Sequence, residues 1–418
     1  MKKALLFALV TAALAANALR PLPGRHAALP SFVAGWLTGE LAPHLLALSA
    51  LDTGHELARG RGRTRDLAVG ALAAAGLAAL VHRAYGVGDV VEGVLQESLG
   101  DDYQDRLATA PTARELATPW REVARPFRMQ RREVERIADI GYTAGGRRAR
   151  LDIYRPRGGE VDGVPLEKAP VLVQVHGGGW TVGSKERQGQ LLMNRMAARG
   201  WVCVALNYRL APKHPFPAQI VDTKKVLAWV KEHIASYGGD PAYVVVTGGS
   251  AGGHLAALAA LTPGDPAYQP GFEDADTSVA ACVPFYGVYD LAGASGDRAA
   301  IGMRDQYLAP WVFREPADEA HLQDFEAASP LLRISPDAPD FFVIHGAHDT
   351  LVPVRQARAF VERLRATSRA SVTYSELPGA QHAFEVFSSI RSQHVIKAVE
   401  RWLEWHRATR RDDRELAS

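Results

Sequence analysis

Three observations predict an α/β protein built on a doubly wound, mostly parallel sheet and preceded by an apolar helical region. From about residue 134 onward, short continuous apolar runs alternate with helix-patterned segments, as strands buried on both faces and their covering helices do. One of those runs, Tyr243 to Thr247, leads straight into Gly248-Gly249-Ser250-Ala251-Gly252-Gly253 and then a small-residue helix. Residues 1 to about 90, by contrast, are apolar over long stretches and carry few acids.

Composition narrows the class before any motif is considered. The 418 residues are 47% hydrophobic and 22% charged, which excludes wholesale disorder. Forty-eight basic against 46 acidic residues leave a formal charge of +2, too little for a nucleic-acid binder that works by releasing counterions. Cys203 and Cys282, both inside apolar runs, suit buried reduced thiols and cannot form a disulfide scaffold or a four-thiolate zinc site.

In chain order, the first region (1–90) contains three apolar stretches, Ala4 to Leu19, Leu29 to Leu51 and Leu67 to Val81. They predict a multi-helix transmembrane region, although a crossing takes about 20 apolar residues and none of the three is a perfect span. Ala16-Asn17-Ala18 also resembles a signal-peptide cleavage site, and the other two stretches could be buried soluble helices. With Lys2 and Lys3 inside, three crossings place Arg59, Arg61, Arg63 and Arg65 inside as well, leaving Arg20, Arg25 and Arg83 outside. That topology, like a cleaved signal, puts the rest of the chain on the extracytoplasmic side, anchored to membrane lipid in the first case.

Residues 91–133 read as a polar helical connector. Between Arg121 and Arg157 eleven arginines face Glu122, Glu133, Glu135, Asp139 and Asp152, an excess of six positive charges. Such a run is ordinarily a solvated face, and beside a membrane it would attract anionic head groups. A single α/β domain is expected over 134–410, followed by a charged tail at 411–418. Its strands are an initial hairpin, Ile137 to Tyr142 with Arg150 to Tyr154, then Pro170 to Val175, Trp201 to Leu206, Tyr243 to Thr247, Val279 to Phe285, Phe341 to His345 and Val372 to Glu376. Gln219 to Tyr237 and Val354 to Ala366 are helix patterns between them.

The chemistry is carried by four places in this frame. Gly248 and Gly252 flank Ser250 two residues to either side, relieving the crowding of a sharp strand-to-helix turn that exposes the hydroxyl. A serine hydroxyl needs a base, an orienting carboxylate and an oxyanion hole to act as a nucleophile. His176-Gly177-Gly178-Gly179-Trp180 follows a strand, and its glycines free the N–H groups of Gly178 and Gly179 to converge with that of Ala251. Asp349 lies just past a buried strand, where open α/β sheets collect functional groups, and His382 follows the last one. The order Ser250, Asp349, His382 is that of the serine hydrolases with this turn. His345 and His348 are rivals for the base but share Asp349's segment; His176 suits a role organising the glycine loop, and His254 one along the helix after Ser250.

With HGGGW at 176–180, YRLAPKHPFPA at 208–218, GGSAGG at 248–253, DTLVP at 349–353 and the late His382, the chain over 134–407 resembles the hormone-sensitive-lipase group of α/β-hydrolases. The resemblance implies a carboxylesterase or lipase with an α/β-hydrolase fold, Ser250 as nucleophile, His382 as general base and acid, Asp349 as its partner, and Gly178, Gly179 and Ala251 as oxyanion donors. It implies no metal or cofactor. Many members carry an acidic residue where this chain has Gly249, a variant shared with kynurenine-formamidase-like and feruloyl-esterase-like relatives. The apolar N-terminus is similar to that of membrane-anchored esterases of this type. The expected substrate is a small-molecule or lipid ester; an amidase or transacylase using the same acyl-enzyme, and a silent membrane scaffold, are the alternatives. Leu291 to Ser329, with Tyr307, Trp311 and Phe313, is expected to cap the site, and Asp290 to cap a turn.

Overall fold

The computed structural model describes residues 3–22, 24, 26–59 and 63–417, with side chains from Ala4 to Arg410 within those ranges. Lys2, Arg25 and Arg61 of the loop-charge comparison, and the side chains of the 411–418 tail, lie outside the described residues.

An eight-stranded sheet organises the chain from residue 134. Its strands are β1 (Val134–Gly141), β2 (Arg150–Pro156), β5 (Ala169–Val175), β6 (Val202–Leu206), β7 (Gly239–Gly249), β8 (Ala281–Phe285), β9 (Asp340–Gly346) and β10 (Val372–Leu377), in the spatial order β1-β2-β6-β5-β7-β8-β9-β10. All neighbours from β6 to β10 pair in parallel, and β2 pairs antiparallel with β6 and with β1. The small hairpin of β3 (Glu160–Val161) and β4 (Val164–Pro165) stands apart as its own two-stranded sheet.

Alternation along the buried strands divides the core in two. Val171, Val173, Val244 and Val246 face one layer with Leu255 and Phe360, while Leu172, Cys203, Val245 and Phe342 face the other with Met193, Met196 and Trp402. The first layer belongs to α8 (Ala218–His233), α9 (Ala251–Leu261) and α12 (Arg355–Thr367), the second to α7 (Gln190–Ala198) and α13 (Ile390–Ala417). Both thiols are buried and free, and burial raises their pKa values above the ordinary cysteine range.

Among the described residues the chain opens with four long helices, α1 (Lys3–Leu19), α2 (Ala28–Glu40), α3 (Ala42–Ala58) and α4 (Thr64–Leu99). The second apolar stretch is therefore not one span. It breaks at Leu41, and Pro43 opens α3, where its missing N–H costs no hydrogen bond. Small residues let the helices approach closely. Gly76 of α4 meets Ala15 and Leu19 of α1, Arg83 donates to Leu19 O, and Gly70 meets Thr53 of α3. Thus α1 runs parallel to the first half of α4 and α3 runs antiparallel to it, with the α3–α4 turn and its Arg59 and Arg63 at the end remote from the sheet.

Among the described residues α4 alone is long and apolar enough to cross a membrane. At 36 residues it is about 54 Å long, against the ~30 Å of a hydrocarbon core. Its last third is otherwise occupied: Val87, Val91 and Leu95 are buried against α13. The three crossings expected from the sequence reduce to one helix of sufficient length, and the boundary expected at residue 90 falls inside it. Beyond α4, Tyr103 is buried against Glu92 and Arg401, and two single-turn helices, α5 (Ala113–Leu116) and α6 (Trp120–Val123), lead to β1. Four of the eleven arginines of the Arg-rich run form ion pairs with described residues, Arg131 with Glu122, Arg136 with Asp152, Arg147 with Glu186 and Arg155 with Glu135.

Candidate active site

Ser250 sits between β7 and α9 with φ 59° and ψ −125°, a conformation that costs a non-glycine residue of order 1–3 kcal/mol. The surrounding packing imposes it. The Ser250 N–H donates to Phe285 O at 3.0 Å, and its carbonyl accepts from the His254 N–H at 2.9 Å, opening the helix. Gly252 is required because a Cβ there would run into Val175 O. The Ala251 N–H, in the first turn of α9, has no intrahelical acceptor.

Beside it lies the glycine loop after β5. Gly178 and Gly179 have φ of 113° and 57°, and a Cβ on either would strike Val182 O or the Tyr307 hydroxyl. A Cβ on Gly177 would lie 3.2 Å from that of Ser250, so the loop passes directly against the serine. The loop is pinned from behind. Gly177 N–H donates to Gln188 Oε1 at 2.5 Å, the His176 ring stacks on Tyr208 with centroids 4.1 Å apart, and the Tyr208 hydroxyl donates to His176 O at 2.9 Å. Burial pushes the His176 imidazole down to about 4, so it is neutral at pH 7. Farther along, buried Lys185 binds buried Asp152 at 2.7 Å. Among the described residues the N–H groups of Gly178 and Gly179 donate to nothing.

Asp349 and His382 are brought together by the loops after β9 and β10. His382 Nδ1 is 2.6 Å from Asp349 Oδ2, while Asp349 Oδ1 accepts from the N–H groups of Leu351 at 2.9 Å and Val352 at 2.8 Å. Burial alone would raise the Asp349 carboxyl, but the charge of His382 and hydrogen bonds from His345 and His382 outweigh it and hold the group well below the ordinary carboxylate range. His345 Nε2 lies 3.4 Å from the same Oδ2 and 2.8 Å from Val352 O, supporting the acid from its own segment. His348 turns away to Ala18 O. Ser250 Oγ makes no hydrogen bond to a described residue, and such contacts commonly close only when substrate binds.

Tyr286 spans the gap between the two groups. Its ring lies 4.4 Å from that of His382, and its hydroxyl occupies the space beside Gly249, where a Cβ would approach it to 2.6 Å. That hydroxyl donates to the buried carboxyl of Glu385, which burial pushes up to about 7 despite the Tyr286 hydrogen bond. Neither residue was singled out from the sequence; Glu385 stands only three positions after His382, which was the one available signal. Nor was Phe32 of α2, whose ring meets the His382 ring edge-on at 5.9 Å. Phe32 lies within the apolar stretch Leu29 to Leu51, whose composition does not separate a lipid contact from a contact with His382.

Other expected residues fall as follows. His254 accepts from Trp180 Nε1 at 3.1 Å and bonds Ala328 O at 2.8 Å, tying the glycine loop to α9. Asp290 receives the N–H groups of Ala294 and Ser295, a turn cap. In the segment 291–329, made of α10 (Arg298–Met303), a π-helical stretch (Arg304–Phe313) and α11 (Leu322–Ala327), Tyr307 donates to Gly179 O at 2.9 Å, whereas Phe313 is core, packed on Phe216 and Phe325. Trp311 is half exposed. Among the described residues no cluster of His, Cys, Asp and Glu is suited to a metal.

A serine on a strained strand-to-helix turn, a glycine loop beside it and a buried Asp–His pair, on a mostly parallel eight-stranded sheet, define an α/β-hydrolase. The chain belongs to the BD-FAE family, whose profile matches residues 151–364, and is an ester-hydrolysing enzyme. It is 43% identical over 411 residues to the probable carboxylic ester hydrolase LipM of Mycobacterium tuberculosis, covering 96% of this chain and 92% of that one. It is 41% identical over 380 residues to esterase LipQ of the same organism, covering 89% and 83%. Among solved structures it is similar to the butyrate-bound thermophilic esterase of Thermogutta terrifontis, at 26% identity and a TM-score of 0.52, covering 64% of this chain and 91% of that one.

Proposed function

We propose that this enzyme is a serine carboxylesterase attached to a membrane through its N-terminal helices, with Ser250 as nucleophile, His382 as general base and acid, Asp349 as its orienting carboxylate, and the N–H groups of Gly178, Gly179 and Ala251 as the oxyanion hole. The observation that carries the reading is the Asp349–His382 hydrogen bond at 2.6 Å, in the same molecule as a serine held at φ 59° against a glycine loop with free N–H groups. No requirement of packing brings all of these together.

With His382 Nδ1–H given to Asp349, Nε2 keeps its lone pair for the serine proton. Ser250 Oγ attacks the ester carbonyl as Nε2 takes that proton, and three N–H groups receive the charge on the carbonyl oxygen. The imidazolium, held by the Asp349 carboxylate, returns the proton to the departing alcohol oxygen. Water then repeats the sequence on the acyl-enzyme, releasing the acid and restoring Ser250. The low pKa of Asp349 keeps it ionised throughout the physiological range, as a partner to an imidazolium must be.

Attachment rests on the apolar residues that α1, α3 and the first half of α4 leave exposed, among them Phe7, Val10, Leu51 and Leu72. The arginines of the α3–α4 turn support the expected topology, with that turn inside and the catalytic domain extracytoplasmic. Ser250→Ala should abolish hydrolysis of p-nitrophenyl butyrate while leaving the thermal transition of the protein unchanged. Turnover within tenfold of wild type by that variant would sink the assignment.

A further inference from the structure

The end of the helical region nearest the sheet is built into the site. Thr350 Oγ1 donates to Ala28 O at 2.9 Å, Gly35 packs on Gln381, and buried Glu40 forms an ion pair with buried Arg391 and accepts from Ser389 Oγ at 2.6 Å. The loops carrying Asp349 and His382 are thus docked on α2. From this docked helix two aromatic side chains, one turn apart, reach toward the catalytic base: Phe32 meets His382 edge-on, and Trp36 stacks on Phe32 with centroids 5.5 Å apart. The row continues through Phe387, 5.4 Å from Trp36, to Phe127, 5.3 Å farther on and 69% exposed.

The outer surface of this row is suited to lipid. Leu29, Val33 and Leu37, four residues apart on α2, form an exposed apolar stripe, and α1, α3 and α4 expose apolar side chains of their own, among them Val10, Leu48 and Leu72. Phe127 is flanked in sequence by Arg125 and Arg128, cations placed where an aromatic enters the interface of an anionic bilayer. Because His382 delivers its proton to the leaving oxygen, a wall that touches His382 borders the alcohol portion of an ester rather than its acyl chain.

Resting on the proposed esterase reading, we infer that Phe32 and Trp36 form the wall of an alcohol-side channel that opens into the bilayer, and that the substrates are esters of long-chain apolar alcohols dissolved in the membrane. The two aromatics are specificity-determining: they favour a long alcohol chain by burying it, and they contribute little to a short one.

The test measures acid release by pH-stat from the full-length enzyme in vesicles of phosphatidylcholine and phosphatidylglycerol at 3:1, using butyl acetate and decyl acetate, and in parallel p-nitrophenyl butyrate and p-nitrophenyl decanoate. Phe32→Ala and the gentler Phe32→Leu and Trp36→Phe should lower the decyl-to-butyl ratio of kcat/KM, by at least tenfold for the alanine variant, and leave the decanoate-to-butyrate ratio within twofold. Ratios unchanged in both series, or a change confined to the acyl series, would overturn the inference. Phe32→Leu decides the matter if the alanine variant does not fold. Wild-type enzyme that hydrolyses nothing and takes no fluorophosphonate label at Ser250 would instead refute the esterase reading itself.

Discussion

Replacing Glu40 by leucine is predicted to destabilise the protein by about 3–5 kcal/mol, the cost of stranding the Arg391 cation in the interior. Both side chains of the pair are 1% exposed, so neither can recover its hydration when the other is lost. An exposed pair of the same chemistry would be worth only ~0–1 kcal/mol. For 418 residues at roughly 2.1 cal/mol/K each, the unfolding entropy is about 0.9 kcal/mol/K, and the loss translates into a lower Tm by about 3–6 °C if the chain unfolds as one unit. Differential scanning fluorimetry on the detergent-solubilised protein reads the shift directly. The partner test is Arg391→Met in the Glu40→Leu background, which removes the orphaned charge and should return stability to within about 1 kcal/mol of wild type. A shift below 1 °C for Glu40→Leu, or a double variant no more stable than the single one, would refute the idea that this pair clamps α2 to the catalytic domain.

Asp349→Asn should lower kcat by about 10³–10⁴-fold with a much smaller change in KM, because it disturbs the tautomer and charge of His382 rather than substrate contacts; steady-state kinetics on p-nitrophenyl butyrate check it, and a loss below tenfold contradicts it. Glu385 is an acid whose folded pKa, about 7, lies above its ordinary value of 4.5, so its contribution to stability is fully present below pH 4.5 and is lost as pH rises through 7. Glu385→Gln, which keeps an acceptor for Tyr286, should therefore gain on wild type between pH 4.5 and 7 by up to about 3 kcal/mol, in an environment shared with Tyr286, His382 and Glu40; parallel Tm curves across that range would count against it. Gly249→Ala places a Cβ 2.6 Å from the Tyr286 hydroxyl and must displace a ring that touches His382, so kcat should fall at least tenfold with the fold retained by circular dichroism.

The sheet was largely legible because its central strands, β5 to β9, are buried on both faces and so are written as apolar runs, whereas β1 and β10 are half exposed and carry weaker patterns. Each of the eight strands of the main sheet coincides with one expected from the sequence. The β3–β4 hairpin was not foreseen, being two exposed residues per strand with no pattern to detect. Asp349 and His382 could be chosen from their places after strands, while their hydrogen bond across 33 residues needed the structure. The N-terminal region misled for a definite reason. Glu40 lies inside an apolar stretch with its counterion 351 residues away, and Phe32 and Trp36 carry the same hydrophobic signature whether they face lipid or pack toward His382. Gly249 had looked like a missing acid; the structure fills the position beside it with Tyr286 and brings a buried acid, Glu385, from another loop.

In the proposed mechanism Ser250 Oγ is the atom that carries the acyl group. The full-length protein, treated with a fluorophosphonate and digested, can be read by peptide mass spectrometry alongside residual esterase activity. One phosphonyl adduct on the peptide containing Ser250, formed in proportion to the activity lost, is the predicted result; loss of activity with Ser250 unmodified, or full modification of Ser250 with activity intact, would contradict it.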